Sequence, residues 1–223
     1  MNIIIENKRL KGFIVDREEK ILELCGNMSV LHLGCADYPY SIVQHKTGKL
    51  LHERLNKITK RLSGIDLDQD GINYLTSLGY GNLIKGDVEQ LDKLKIRETF
   101  DVVVAGELLE HLSNPGRFFE SAPSVMNAES VLIITTPNSH SLKRFARALF
   151  GRELIHPDHV AYFSPATLEH LCKRYGYEQL ECFYYLSEPG NSIKKILFLP
   201  LKWFIQALAP AIADGIIFVV KKG

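Results

Sequence analysis

A chain of 223 residues, 46% hydrophobic and 24% charged, is long enough for one α/β domain with a sizeable core and lacks the bias of disordered, collagenous or disulfide-rich chains. Its net charge of +1 excludes the strongly basic balance of a nucleic-acid-coating domain, so no nucleic-acid partner is expected. Cys25, Cys35, Cys172 and Cys182 show no Cys-x-x-Cys spacing, and Met1 to Glu6 is too short and too soon acidic for a secretory signal; reduced thiols and a cytoplasmic location are expected.

In chain order, helical spacing from Ile14 to Cys25 predicts an N-terminal helix over about 13–26. The apolar run Val30-Leu31-His32-Leu33 then reads as a strand entering a turn of small residues and an acid, Gly34-Cys35-Ala36-Asp37. Apolar positions 51, 55, 58 and 62 predict a helix face between Leu50 and Leu62, and a second strand ends at Gly64-Ile65-Asp66. Asp68 or Asp70 can cap the next helix, which carries Ile72, Leu75 and Leu78 and ends at Gly79. Val102–Ala105 and Val131–Ile134 are apolar at consecutive positions, as parallel strands covered on both faces require. Thr167 to Tyr175 reads as a helix stopped at Gly176, and Gln179–Tyr185 with Gly215–Val220 as the last two strands. No repeat, linker or low-complexity tract interrupts this alternation, so residues 1–223 read as one Rossmann-like α/β domain.

The turn after the first strand bears on the ligand. A dinucleotide turn needs Gly-x-Gly-x-x-Gly so that backbone can approach a pyrophosphate. Here the residues are Gly34-Cys35-Ala36-Asp37-Tyr38-Pro39, and the Asp37 carboxylate would repel phosphate. S-adenosylmethionine has no phosphate, and its ammonium suits a carboxylate or backbone carbonyls.

From Val30 to about Tyr177 the chain resembles the class I S-adenosylmethionine-dependent methyltransferases. Gly34, Cys35 and Ala36 match the family's first motif, Asp66 the acid that accepts from both ribose hydroxyls, and Asp87 of Lys85-Gly86-Asp87-Val88-Glu89 the residue near the adenine amino group. Phe100 to Glu107 looks like the fourth strand and its loop, Leu109-Glu110-His111-Leu112 the start of the next helix, and Val131 to Asn138 the fifth strand. His156-Pro157-Asp158-His159-Val160 with Phe163-Ser164 resembles a segment of bacterial members. The resemblance implies a three-layer sandwich around a mostly parallel seven-stranded sheet with an antiparallel last strand, a nucleoside-binding half over about 28–90 and an acceptor-side half over about 100–223. It implies S-adenosylmethionine as cofactor, S-adenosylhomocysteine as product, and a cofactor-binding set of His32, Gly34, Cys35, Ala36, Asp37, Asp66, Leu67, Asp87, Val88, Gly106 and Glu107.

The chain departs from the family pattern in having His32 where an acid is usual and Tyr38 where a third glycine is common. Gly34 and Asp66 are also 32 residues apart, against about 20 in Rossmann-like units. The extra residues are expected between Tyr38 and Leu51, as a loop beside the cofactor.

A hydroxyl acceptor needs a base, and His111, just after the fourth strand, is the first candidate; its other reading is packing at the helix start. His159, with His156, is the second. His-x-x-His with one acid is a weak metal signal, and contact with substrate or a lid is favoured over a metal. Asp66 and Asp87 each have the alternative of a helix cap; for Asp66 the cofactor role is favoured, since Asp68 and Asp70 are better placed as caps. The basic runs Lys143, Arg144, Arg147, Arg152 and Lys46, Lys49, Arg54, Lys57, Lys60, Arg61 read as solvated faces unless one lines the acceptor cleft. The apolar segment 193–213 is too interrupted to span a bilayer and reads as short helices on the sheet, or as a face for a homodimer, a membrane or a lipid-linked substrate. The expected function is methyl transfer to oxygen or nitrogen of a small molecule or glycan precursor; a silent binding scaffold of the same fold, or a nucleotide-dependent oxidoreductase or epimerase, are the alternatives.

Overall fold

The computed structural model describes residues 12–187, 205 and 209–223. Its elements are α1 (Arg17–Cys25), β1 (Ser29–Leu33), α2 (Tyr40–Lys46), α3 (Leu51–Ile58), β2 (Arg61–Asp66), α4 (Gln69–Ser77), β3 (Leu83–Lys85), β4 (Phe100–Gly106), α5 (Pro115–Ser121), β5 (Met126–Pro137), α6 (Leu142–Leu149), α7 (Pro165–Arg174), β6 (Tyr177–Tyr185) and β7 (Gly215–Lys222).

The uninterrupted apolar runs have a simple cause. Val30, Val102, Val104, Ile133 and Ile217 join one core with Ile21, Cys25 and Leu55, while Leu31, Val103, Leu132, Ile134 and Phe218 join the other with Phe118, Leu168 and Cys172. Alternate residues of each strand thus enter opposite cores, and a fully buried side chain of this size contributes about 1.5–3 kcal/mol relative to exposure.

The seven strands are ordered β3-β2-β1-β4-β5-β7-β6. The expected architecture is therefore present: β7 runs antiparallel to β5 and β6, and every other pair is parallel. Strand order reverses between β1 and β4, where open α/β sheets bind ligands. Because Leu33 is in register with both Ile65 and Ala105, Gly34, Asp66 and Gly106 leave the sheet at one level.

Four local expectations need correction. The first helix starts at Arg17 because Asp16 caps it, accepting from the Glu19 amide at 3.0 Å. Phe13 and Val15 instead exchange backbone bonds with Tyr184 at the sheet edge. Leu62 belongs to β2, since α3 ends at Ile58 and Arg61 is already paired with Ser29. The extra residues after Tyr38 are helix α2 rather than a loop. Leu109–His111 is one isolated 3-10 turn, because Asn114 and Pro115 start α5 afresh, with Asn114 accepting from the Arg117 amide. The segment 193–213 lies outside the described residues except for Ile205, which is buried in the core, and 209–213. Among the described residues no helix is long and apolar enough to cross a membrane.

Candidate active site

The turn after β1 is clamped by the end of β2. The Gly34 and Cys35 amides donate to the Ile65 carbonyl at 2.9 and 3.2 Å. Gly34 has φ +66°, a conformation that costs glycine nothing and other residues more. One Asp66 oxygen accepts from the Ala36 amide at 2.8 Å and the other from the Asp68 amide at 3.0 Å. Asp68, not Asp66, caps α4, accepting from the Asp70 amide. A carboxylate offers about four lone-pair sites, so each Asp66 oxygen keeps one for a ligand hydroxyl.

Helix α4 approaches this turn at Gly71, where a Cβ would lie 2.5 Å from the Ala36 Cβ and 3.0 Å from the Tyr38 Cβ. Gly71→Ala is therefore expected to destabilise the fold by about 1–2 kcal/mol despite alanine's better helix propensity. Thermal unfolding reads this, and an unchanged or raised midpoint would mean the turn has room to yield.

A cleft of about 510 Å³ opens over the turn. Gly34, Cys35, Asp37, Asp66, Gly106 and Glu107 line it together with His32, His111 and His156, so most of the predicted cofactor set and the first candidate base share one space. Ala36 is fully buried behind the turn, and Leu67 is 67% exposed beside Asp66. Asp87 and Val88 do not line the cleft: Asp87 accepts from the Glu89 amide and the Gln90 side chain as a cap, and Val88 is buried in the core.

His32 and His52 form a buried pair, their Nδ1 atoms 3.3 Å apart and their rings stacked at 5.5 Å. Burial drives the His32 pKa well below the usual histidine value, helped by the charge of the other imidazole, and burial pushes His52 down to about 4. Both are neutral at neutral pH, one Nδ1 donating to the other.

On the opposite wall Glu107 follows β4 with φ +50°, a strained conformation for a residue with a side chain. Its amide is held by the Thr135 carbonyl and hydroxyl at 2.9 and 3.0 Å, and its carboxylate accepts from Thr135 and Tyr185, with Arg17 at 4.0 Å. Glu110 is fully buried; burial and the Glu107 charge raise its pKa to about 8. One of its oxygens accepts from Thr136 at 2.9 Å and the other has no partner. His111, His156 and His159 cluster in front of it, with ring centroids 4.6–5.6 Å apart.

A second cleft, about 750 Å³, adjoins α6 and is lined by Leu142, Phe145, Leu154 and Ile212 with Arg144, Arg147 and Arg152. The Arg144 guanidinium lies 4.0 Å over the Tyr162 ring, itself 6.1 Å from the His159 ring. The α6 basic run thus borders a cavity instead of a plain solvated face. Of the other run, Lys49 lines the cofactor cleft, while Arg54 pairs with Glu18 and Glu19, Arg61 with Glu98 and Lys57 with Glu53. Asn138 is buried and donates to the Ala211 and Ala213 carbonyls, anchoring the chain before β7.

Reading the sequence missed Arg17, His52, Tyr185 and the burial of Glu110. His52 carried a weak signal, being a polar residue between Leu51 and Leu55 on an apolar helix face. Arg17 and Tyr185 carried none, because only the fold brings α1 and β6 to the end of β4.

The crevice lies at the switch point of a Rossmann-like sheet, with the Asp66 carboxylate and the imidazoles of His32, His111 and His156 together in its lining. The family model for a methyltransferase domain matches residues 13–181, and the chain belongs to that family, the S-adenosylmethionine-dependent methyltransferases of class I. The ubiquinone biosynthesis O-methyltransferases of Bradyrhizobium diazoefficiens and Pelagibacter ubique are each 26% identical to it, over 63% and 68% of this chain. Those matches span 51% and 58% of the relatives, so the chain covers little more than half of their length. The same fold occurs in the N-methyltransferase NodS of Bradyrhizobium japonicum, bound to S-adenosylhomocysteine, at TM-score 0.57 and 16% identity over 92% of this chain and 85% of that one. It also occurs in a possible histamine N-methyltransferase of Thermotoga maritima, at TM-score 0.63 and 14% identity over 92% and 87%.

Proposed function

We propose that the protein transfers the methyl group of S-adenosylmethionine to a hydroxyl oxygen of an apolar small molecule. One observation carries this reading: Asp66 and Gly34 line a single cleft together with His111 and His156, so a bound donor and a proton acceptor would share one space. The relatives named as ubiquinone biosynthesis O-methyltransferases favour oxygen as the acceptor atom. The apolar cleft beside α6 offers a surface for the acceptor's body, and its three arginines suit an anionic substituent.

In this reading Asp66 would accept from the ribose hydroxyls, and the turn with neutral His32 would hold the methionine end of S-adenosylmethionine, which supplies the activated methyl group. The acceptor O–H proton passes to an imidazole nitrogen of the cluster, His111 first. The freed oxygen pair attacks the methyl carbon in line with the C–S bond, whose electrons return to sulfur. The products are a methyl ether and S-adenosylhomocysteine. Alignment of oxygen and methyl at about 3–3.5 Å supplies most of the acceleration, and the base about 10²–10⁴-fold more.

His111→Ala should accordingly lower kcat by about 10²–10⁴-fold while leaving S-adenosylhomocysteine affinity nearly unchanged. Single-turnover rates with a catechol or phenol acceptor and calorimetry with the product check the two halves. An unaltered rate would remove His111 as the base. Calorimetric binding of NAD with no binding of S-adenosylhomocysteine would sink the reading altogether.

A further inference from the structure

We propose that His111, His156 and His159 form a site for one divalent transition-metal ion, open on its fourth side to the cleft that contains Asp66. His111 comes from the turn after β4, and the other two from the segment between α6 and α7. The segments are tied where the histidines meet: the Val160 amide donates to the Glu110 carbonyl at 2.9 Å, and the His159 amide to the His156 carbonyl at 3.1 Å. One nitrogen from each ring lies within 4.8 Å of the others, and no other such trio of histidine, cysteine or acidic side chains is found among the described residues.

Zinc holds imidazole nitrogens at about 2.0–2.1 Å in a tetrahedral array, which spaces them about 3.3–3.4 Å apart. Bringing the nitrogens to that spacing shortens each separation by at most about 1.5 Å, an inward movement of under about 1 Å per ring, within reach of side-chain rotation at these half-buried positions. Two further observations support the assignment. His159 Nδ1 is buried and has no hydrogen-bond partner, a state that usually costs a polar nitrogen about 1–3 kcal/mol. His156 Nδ1 lies 3.3 Å from the Asp158 amide and 3.7 Å from an Asp158 carboxylate oxygen; in the tautomer that directs Nδ1–H at that carboxylate, the Nε2 lone pair is left for an ion.

Three imidazoles favour zinc, cobalt, nickel or iron over magnesium or calcium, which prefer oxygen. Three protein ligands with one open position is also the arrangement of catalytic rather than structural zinc sites. This inference rests on the methyl-transfer reading in one respect: the open position faces the acceptor. An ion there would bind the acceptor oxygen and lower its pKa, so that the hydroxyl proton leaves to solvent instead of to a free imidazole. The methyl transfer itself is unchanged.

The test uses the untagged full chain, stripped with a chelator and titrated with Zn²⁺ and Co²⁺. One equivalent of Zn²⁺ is expected to bind with a dissociation constant below about 1 μM, and Co²⁺ to give the intense visible band of a four-coordinate ion. His156→Ala and His159→Ala should each weaken Zn²⁺ binding by about 100-fold or more and abolish the band, whereas His45→Ala, whose ring pairs with Glu53, should change neither. Absence of binding at about 100 μM Zn²⁺, or wild-type affinity in both cluster variants, overturns the proposal. Titrating the same stripped sample with S-adenosylhomocysteine keeps the two readings apart: cofactor binding without metal binding removes only the metal, and metal binding without cofactor binding removes only methyl transfer.

Discussion

Asp66→Ala is expected to weaken S-adenosylhomocysteine binding by at least about 100-fold and to lower stability by about 3 kcal/mol, because in the proposed reading one carboxylate serves the cofactor and the turn together. Each of its oxygens accepts a backbone amide, Ala36 at 2.8 Å and Asp68 at 3.0 Å. Hydrogen bonds to an ionised acceptor contribute about 1.5–3 kcal/mol each, and the Ala36 amide is buried where water does not easily replace the lost partner. Removing the side chain therefore releases the turn as well as the proposed ribose contact. Asp66→Asn separates these roles. It keeps one carbonyl oxygen for the turn but loses the charge and the second acceptor, so it should recover much of the stability while affinity stays low. Calorimetry with S-adenosylhomocysteine and urea unfolding of both variants read the two effects. Near wild-type affinity in Asp66→Asn, with the alanine variant merely unstable, would reduce Asp66 to a clamp.

How far the sequence reveals this site depends on which forces are local. The strands β1, β4 and β5 are legible because burial on both faces forces near-continuous apolar runs, while β2, with Ser63 and Gly64 at its centre, is marked chiefly by its end at Ile65-Asp66, where a short strand followed by its own helix cap leaves that acid unassigned. Helix starts were less legible. A cap such as Asp16 or Asn114 overrides an apolar spacing that continues on both sides of it, so spacing alone makes the first helix too long and fuses the turn at Leu109–His111 to α5. Asp87 shows the opposite limit: the same residue type in the same motif can contact a ligand or cap a turn, and here its oxygens are engaged by Glu89 and Gln90. The histidine cluster was only half visible, since His156 and His159 are neighbours in sequence but His111 reaches them through a connection of some 45 residues.

His32 is one of the two places where the chain departs from the family pattern, and its pairing with His52 makes a second large effect expected: stability should fall steeply as pH drops from about 6.5 toward 4. The folded-state pKa of each ring is depressed, so in this window the unfolded chain takes up protons that the folded protein refuses. Stability contributed by the neutral pair is present above the unfolded value near 6.5 and is lost as pH falls toward the folded value, which for His52 is about 4. That difference corresponds to about 3 kcal/mol for His52 by the lower limit, and His32, depressed further by burial and by its partner, adds a loss of the same sign. Urea unfolding between pH 4.5 and 7.5 should show it, with a clearly flatter profile for His52→Gln, which retains an amide to bond His32 but no longer titrates. An identical profile in that variant would place the acid sensitivity elsewhere. The same neutrality explains how a histidine can stand where relatives carry an acid. A methionine ammonium tolerates an uncharged imidazole that accepts a hydrogen bond, whereas a protonated one would repel it, so cofactor affinity should decline over the same acidic range in which the pair is forced to charge.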